Sequence, residues 1–333
     1  MDTTIQSTTA QHHVSLSNHD KEQLVDFVAS HCSAPSDLTD QQVLALVKRH
    51  RLALPSIQAN LRSLRDLHIT SLLVENLPVD PALPAPPSNG LRPQGKSWLT
   101  ETTLLQLALS SSLHPMGLAE ENQGRLVHEI AAAMGRRAES SSQGVVALGW
   151  HTDLAILPSA YRPDYLFLLG LLNQSNVPTM IADLDAALAV LDDTVIKLLR
   201  APRFRVASPA NLRFGKGMTV ISEPRPLLSC GPSGLDQIAA NLEQVTCLDS
   251  AAAGALATFK SVLAGCARPM VIAPGTALLF SNRRTLHARP GLVAGGQRWL
   301  ERLYCSRSLK QVREATGSGP DSVVFPVSRL ILE

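Results

Sequence analysis

From residue 144 onward the chain is cut into short β-like runs that arrive one at a time: "GVVALGW", "DYLFLLGLL", "FRVAS", "MTVIS", "RPMVIA", "GTALLFSN" and "RWLERLYCS". They alternate too rarely with helical stretches for a doubly wound parallel sheet. No GxGxxG follows a strand, no P-loop occurs, and no segment repeats at a fixed period. Many short strands preceded by helices predict a mainly β fold with added α-helices, closed or sandwiched in the manner of a jelly roll. In such a fold the strand ends form a mouth, and a mouth is where ligands bind.

The helices come first. "NHDKEQLVDFVASHC", "LTDQQVLALVKRH" and "PSIQANLRSLRDL" carry apolar residues at helical spacing, with Asn18 and Thr39 or Asp40 as candidate caps. "ITSLLVENLPVD" reads as a strand, and the Pro- and Gly-rich residues 80–96 as a crossing loop. Helical patterns return at "ETTLLQLALSSSL", "IADLDAALAVL" and "SAAAGALATFKSVLAG". The expected organisation is a flexible arm over 1–17, despite its adjacent His12 and His13, then one domain over 18–333. Its helical part spans 18–67, and its β core spans about 68–310 with helical insertions.

Charge narrows the partners. Thirty basic against 28 acidic side chains leave a formal charge of +2, with no dense Lys/Arg block. Nucleic acid and anionic membranes are therefore not expected, and a small-molecule partner is. No run of eighteen apolar residues occurs and the first twenty residues lack a signal-peptide pattern, so the expected location is the cytoplasm. Cys32, Cys230, Cys247, Cys266 and Cys305 contain no CxxC pair and fit a reducing compartment as packing residues.

The run "GVVALGWHTD" ends in a histidine and an aspartate one alternate position apart, so His151 and Asp153 leave an extended chain on the same face. A chain with ten histidines and 28 acidic residues supplies about one such His-x-acid triplet by chance. A third residue raises its weight: His287 in "NRRTLHARP" follows the strand-like "TALLFSN". Two imidazoles and one carboxylate with coordination positions left open are the ligand set of non-haem Fe(II) oxygen chemistry. Zinc hydrolysis uses similar ligands, so these three residues alone leave the metal open. A local hydrogen-bonded His151–Asp153 pair beside an ordinary buried His287 is the other reading.

The combination "GWHTD…YRPDYLFLLGLL…PTM…SNRRTLHARP…QRWLERLY" resembles the clavaminate synthase-like Fe(II)/2-oxoglutarate-dependent oxygenases, the branch with the L-arginine and L-asparagine β-hydroxylases. The resemblance covers roughly residues 70–310. It implies a double-stranded β-helix core (jelly roll, cupin-like), with O2 as oxidant. The implied reaction hydroxylates an L-amino acid at Cβ or Cγ, coupled to decarboxylation of 2-oxoglutarate to succinate and CO2. His151, Asp153 and His287 match the iron ligands. Arg298 matches the arginine on the distal carboxylate of 2-oxoglutarate, and Thr179 the threonine beside it. Arg302 matches the arginine that binds the substrate's α-carboxylate, and Glu121 falls where an acidic or amide residue meets its α-amine.

Three departures bear on the substrate. Asp153 stands where the branch often has Glu; both ligate iron, and a carboxylate there argues against halide coordination and hence against a halogenase. The segment between His287 and Arg298 is short and Gly-rich. Asn241 stands where the arginine and asparagine hydroxylases carry an aspartate facing the substrate's side chain. An amide both donates and accepts, so it suits a neutral or acidic side chain better than a guanidinium. Asp236 could instead fill that acidic place and restore a basic substrate such as arginine or lysine, and Ser142 could add a small polar contact. A carrier-tethered amino acid, a metal-dependent hydrolase and a noncatalytic 2-oxoglutarate sensor are the other possibilities, and the oligomeric state is open.

Overall fold

The computed structural model describes residues 12–32, 38–209, 212, 219–292 and 296–331. Three amphipathic helices, Asn18–His31, Asp40–Arg49 and Gln58–Arg65, bury Leu24 and Phe27, Val43 and Val47, and Leu61 and Leu64 respectively. Ser17, one residue before the expected Asn18, caps the first by accepting from the Asp20 N–H. Thr39 and Gln42 form a reciprocal capping box on the second. Helix Leu99–Ser110 is buried almost all round. It lies between the first two helices and the long strand Arg298–Ser306.

That strand is central to the larger of the two main sheets. Eight strands run in the order His13–Ser15, Ser71–Glu75, Ala277–Ser281, Tyr165–Asn173, Arg298–Ser306, His114–Leu118 and Val324–Phe325, with Val127–Ala131 also paired to Arg298–Ser306. The outermost pairings are parallel and those between them antiparallel. A four-stranded antiparallel sheet runs Arg268–Met270, Thr179–Asp183, Thr285–Arg289, Leu148–His151. The near-continuous apolar run "YLFLLGLL" is buried on both faces, which is why it lacks alternation. Gly170 within it is required by close approach: a Cβ there would meet the Ala273 carbonyl oxygen at 2.2 Å.

The fold is mixed α/β rather than mainly β, and the sheets do not close into a barrel among the described residues. Two small two-stranded antiparallel sheets, Phe204–Val206 with Val245–Cys247 and Leu228–Cys230 with Asp236–Ile238, pack with the Ala-rich helix Ser250–Gly265 around a second apolar cluster. Of the expected strand "MTVIS", residue 218 lies outside the described residues and Ile221 makes only an isolated bridge to Ala207. Residues 1–11 of the expected arm also lie outside them, whereas His13–Ser15 is a strand and Leu16 is buried. Exposed His13 pairs with Glu75 at 2.9 Å. All five cysteines are free thiols. Among the described residues no helix is long and apolar enough to cross a membrane.

Candidate active site

Antiparallel pairing of Leu148–His151 with Thr285–Arg289 sets His151 directly opposite His287, with ring centroids 4.0 Å apart. The strand then stops, and Leu154 takes a left-handed φ of 56° that an ordinary L-residue seldom adopts. Asp153 sits in this turn, held by a buried amide: its N–H donates to Asn282 Oδ1 at 2.8 Å, and Asn282 Nδ2 donates back to its carbonyl at 2.9 Å. Its Oδ1 consequently lies 3.3 Å from His151 Nε2 and 3.5 Å from His287 Nε2.

The donor chemistry of this cluster fits a cation. His151 Nδ1 lies 2.8 Å from the Gly149 carbonyl, which can only accept, so Nδ1 carries the proton and the Nε2 lone pair faces Asp153. Burial first, and the neighbouring His151 second, push His287 down to about 4, so it is neutral at neutral pH. Burial, the largest single influence, works to raise Asp153, but Arg302 and then the two histidines together outweigh it and hold the carboxyl well below its usual range. Three buried ligand atoms within 4.8 Å of one another thus come from two imidazoles and one carboxylate.

Two arginines of the strand Arg298–Ser306 flank this cluster in contrasting states. Arg302 is engaged by two carboxylates: Nη1 donates to Asp153 Oδ2 at 2.7 Å and Nη2 to Glu121 Oε1 at 2.6 Å, while its Nε is unpartnered. Nη2 also lies 2.8 Å from His128 Nδ1. Because His128 Nε2 meets the Arg125 carbonyl at 3.0 Å, that nitrogen is protonated and Nδ1 is the acceptor facing Arg302. Burial, the largest influence, pushes His128 down to about 4 and keeps it neutral. Tyr304 closes the group, its ring 4.4 Å from the Arg302 guanidinium and its hydroxyl donating to Glu121 at 3.3 Å.

Arg298, by contrast, is 8 % exposed and has no carboxylate partner among the described residues. Its Nη2 donates to Thr179 Oγ1 at 2.8 Å and its Nε is unpartnered. Burial, reinforced by Arg289, pushes its pKa down to about 9. Arg289 spends its own guanidinium on the carbonyls of Gly144 and Val146, each at 3.0 Å, which ties down the chain leading into the metal-binding triplet.

Two cavities meet at the cluster. One of about 440 Å3 is lined by Thr179, Leu168, His287, Leu300 and Arg298. The other, of about 610 Å3, is lined by Glu121, Thr152, Asn241, Gln244 and Tyr304. His151, Asp153, Arg302 and Ser142 line both. Asn241 reaches the site through an isolated bridge to His151. Asp236 does not line either cavity; its carboxylate is paired with Arg200 at 2.8 Å. Sequence reasoning brought out neither Asn282 nor His128. Asn282 stands in the quoted "SNRR" beside the third ligand, and His128 in "LVHEI", but no spacing rule gives either side chain its task.

No family model matches the chain. Several curated proteins do. Enduracididine beta-hydroxylase of Streptomyces hygroscopicus is 26% identical over 291 residues, covering 76% of this chain and 82% of that protein. L-asparagine oxygenase of Streptomyces coelicolor is 27% identical over 252 residues, 73% of each. Clavaminate synthase 2 of Streptomyces clavuligerus is 26% identical over 245 residues, 70% of this chain and 73% of that one. Among solved structures, asparagine oxygenase in complex with Fe(II), 2S,3S-3-hydroxyasparagine and succinate superposes with a TM-score of 0.83 at 22% identity, over 95% of this chain and 99% of that one. The non-heme iron oxygenase OrfP, in complex with Fe, succinate and (3S)-hydroxy-L-Arg, gives 0.78 at 23% identity, over 94% and 99%. With matches of this length and a His-x-Asp…His cluster in place, the chain is related to the clavaminate synthase-like non-haem iron, 2-oxoglutarate-dependent oxygenases.

Proposed function

We propose that this protein hydroxylates an L-amino acid at Cβ or Cγ, with His151, Asp153 and His287 holding Fe(II) and Arg298 and Thr179 holding the distal carboxylate of 2-oxoglutarate. The double-stranded β-helix of the family would supply the scaffold, its mouth formed where the four-stranded sheet faces the large one. The observation that carries the reading is Arg298: a buried guanidinium without a carboxylate partner opens on the cavity that contains the metal cluster. A planar fork with a hydroxyl beside it is built for a carboxylate. A zinc hydrolase would leave that pair without a task. When bound, iron and 2-oxoglutarate supply the oxidising power that converts an unactivated C–H bond to C–OH, with O2 consumed and succinate and CO2 released.

The chain's own residues do the positioning. Arg302 and Glu121 would take the α-carboxylate and α-amine of a zwitterionic amino acid, exchanging part of their mutual ion pair for the ligand and aiming its Cβ or Cγ at the metal. Arg302 also fixes Asp153: with Oδ2 engaged by Nη1, only Oδ1 faces the two Nε2 atoms. Around the rest of the second cavity the described polar side chains are neutral: Asn241, Gln244, Thr152, Ser140, Ser141 and Ser142. A guanidinium or ammonium side chain would find no carboxylate there beyond Asp153 and Glu121, which are already engaged by Arg302. We therefore favour a neutral polar or acidic side chain, selected in part by Asn241. The test is succinate formation across aspartate, asparagine, glutamine, leucine, lysine and arginine, with the hydroxylated product identified by mass. Lysine or arginine as the best substrate would overturn the side-chain assignment, and succinate formation with none of them would overturn free-amino-acid hydroxylation.

A further inference from the structure

Two stretches that carry the family resemblance, "YRPDY" and "SNRR", contribute residues to a cavity that the oxygenase reaction does not use. It has an empty volume of about 1080 Å3 and shares no lining residue with the two cavities at the metal cluster. Four arginines line it, Arg162, Arg283, Arg284 and Arg307, against one carboxylate, Asp164. Asp164 is already committed, with Oδ1 2.5 Å from Arg283 Nε and Oδ2 accepting from the Arg307 backbone N–H at 2.8 Å. Arg284 is neutralised from outside by Asp185. That leaves two guanidiniums with no carboxylate in hydrogen-bond or ion-pair contact among the described residues, with Asp164 acting on Arg162 and Asp66 on Arg307 only at longer range. Arg307 meets only the Tyr165 hydroxyl and the Arg65 carbonyl. Arg162 is 3 % exposed, donates through Nη1 to the Ile238 carbonyl at 3.0 Å, and has an unpartnered Nε.

A nearly buried guanidinium hemmed in by other cations is costly unless an anion offsets it. Arg283 is oriented toward the same space, its Nη1 donating to Ser159 Oγ at 3.0 Å and to Gln237 Oε1 at 3.4 Å. Ser233 and Ser308 add hydroxyls to the wall. We propose that this cavity is a binding site for a compact dianion, a phosphate group or a small dicarboxylate, gripped by Arg162 and Arg307 with Arg283 and the serine hydroxyls completing the shell. The site is built on the turn that carries Asn282, whose amide clamps Asp153, so its occupant would rest on the element that supports the metal carboxylate.

The test is calorimetric titration of inorganic phosphate, and separately of succinate, into the full chain with neither Fe(II) nor 2-oxoglutarate present, since 2-oxoglutarate is itself a small dicarboxylate and would compete for the site. Expected is one saturable site per chain, weakened by about tenfold in Arg307→Gln and further in Arg307→Glu. Arg307 is exposed, so these variants keep the fold even if Arg162→Gln does not. Tighter binding of phosphate than of succinate identifies a phosphate-bearing ligand, and the reverse a dicarboxylate. No saturable binding of either ion overturns the site, as does binding unchanged in both Arg307 variants. Binding lost in Arg298→Gln instead places the ion in the metal-side cavity and equally overturns it.

Discussion

Replacing Arg298 by methionine removes a charge while keeping most of the stem, and its two consequences should have opposite signs. In the ligand-free protein the guanidinium is an uncompensated buried cation, pushed from 12.5 to about 9 by burial and then by Arg289. A shift of that size corresponds to a penalty on the order of 5 kcal/mol. Arg298's folded pKa lies below its unfolded value, so the unfolded chain binds the proton more tightly. The penalty holds at all pH values below about 9 and is relieved only above it. Arg298→Met should therefore leave the ligand-free protein at least as stable as the parent. The same change removes a charge-assisted fork from 2-oxoglutarate, a loss of about 1.5 to 3 kcal/mol, or roughly tenfold to a hundredfold in affinity. At a concentration about 100 times the parent Kd, 2-oxoglutarate stabilises the parent by about 2.7 kcal/mol and a hundredfold weaker variant by only about 0.4. Thermal unfolding with and without 2-oxoglutarate, under anaerobic conditions with Fe(II), reads both effects at once. A ligand-free variant clearly less stable than the parent, with the 2-oxoglutarate shift intact, would show that Arg298 is a structural cation and refute the reasoning.

Asp153→Ala should abolish Fe(II) retention and turnover while the chain stays folded, because Arg302 keeps Glu121; retained iron measured by metal analysis would remove the assignment. His128→Leu should raise the substrate KM more than it lowers kcat, by roughly tenfold, since the neutral Nδ1 acceptor is what holds Arg302 Nη2; an unchanged KM would reduce His128 to packing. His128 also sets a pH dependence. Its folded pKa of about 4 lies below the ordinary 6.5, so its stabilising contribution is complete above 6.5 and is lost as pH falls toward 4, with His287 adding in the same direction. Denaturant unfolding across that window should show the parent losing stability more steeply than His128→Leu, and parallel profiles would contradict it. Asn241→Asp should shift preference toward amide or cationic side chains and away from acidic ones, read as the ratio of kcat/KM values for asparagine and aspartate.

The parts of the site that were legible in the sequence obey local rules. His151 and Asp153 share a face because strand side chains alternate, and Arg298 and Arg302 because an even spacing does the same. The pairing of His151 with His287 was not legible. It depends on the register between two strands more than a hundred residues apart, and register is set by tertiary packing. Asn282 and His128 were missed for a related reason: a buried amide or imidazole acquires its task from the donors and acceptors that long-range folding brings to it. Asn241 and Asp236 show this most directly. The sequence allowed either to face the substrate, and the small-hairpin geometry sent Asp236 to Arg200 while a bridge to His151 brought Asn241 to the cavity. The helix "SAAAGALATFKSVLAG" was legible from its own pattern, but that it and the two small sheets around it form a second packed cluster was not, because that depends on long-range packing.

On the proposed assignment, the contrast between Arg298 and Arg302 would let one strand serve two ligands without confusing them. Both guanidiniums are buried and lie on the same strand four positions apart, so proximity alone would let either carboxylate ligand bind either arginine. Arg302 already holds Asp153 and Glu121, and a newcomer must bring an ammonium for Glu121 as well as a carboxylate for Arg302, a demand that an α-amino acid meets and 2-oxoglutarate does not. Arg298 has no acidic partner to displace and accepts a bare carboxylate. Exchanging these environments should therefore exchange the preferences. Glu121→Gln, which removes the competing negative charge from Arg302, should let 2-oxoglutarate inhibit at high concentration by entering the amino-acid site. Inhibition by 2-oxoglutarate that appears in Glu121→Gln, is competitive with the amino acid and is absent from the parent is the expected result; identical 2-oxoglutarate dependence in both proteins would mean that Glu121 plays no part in keeping the two carboxylates apart.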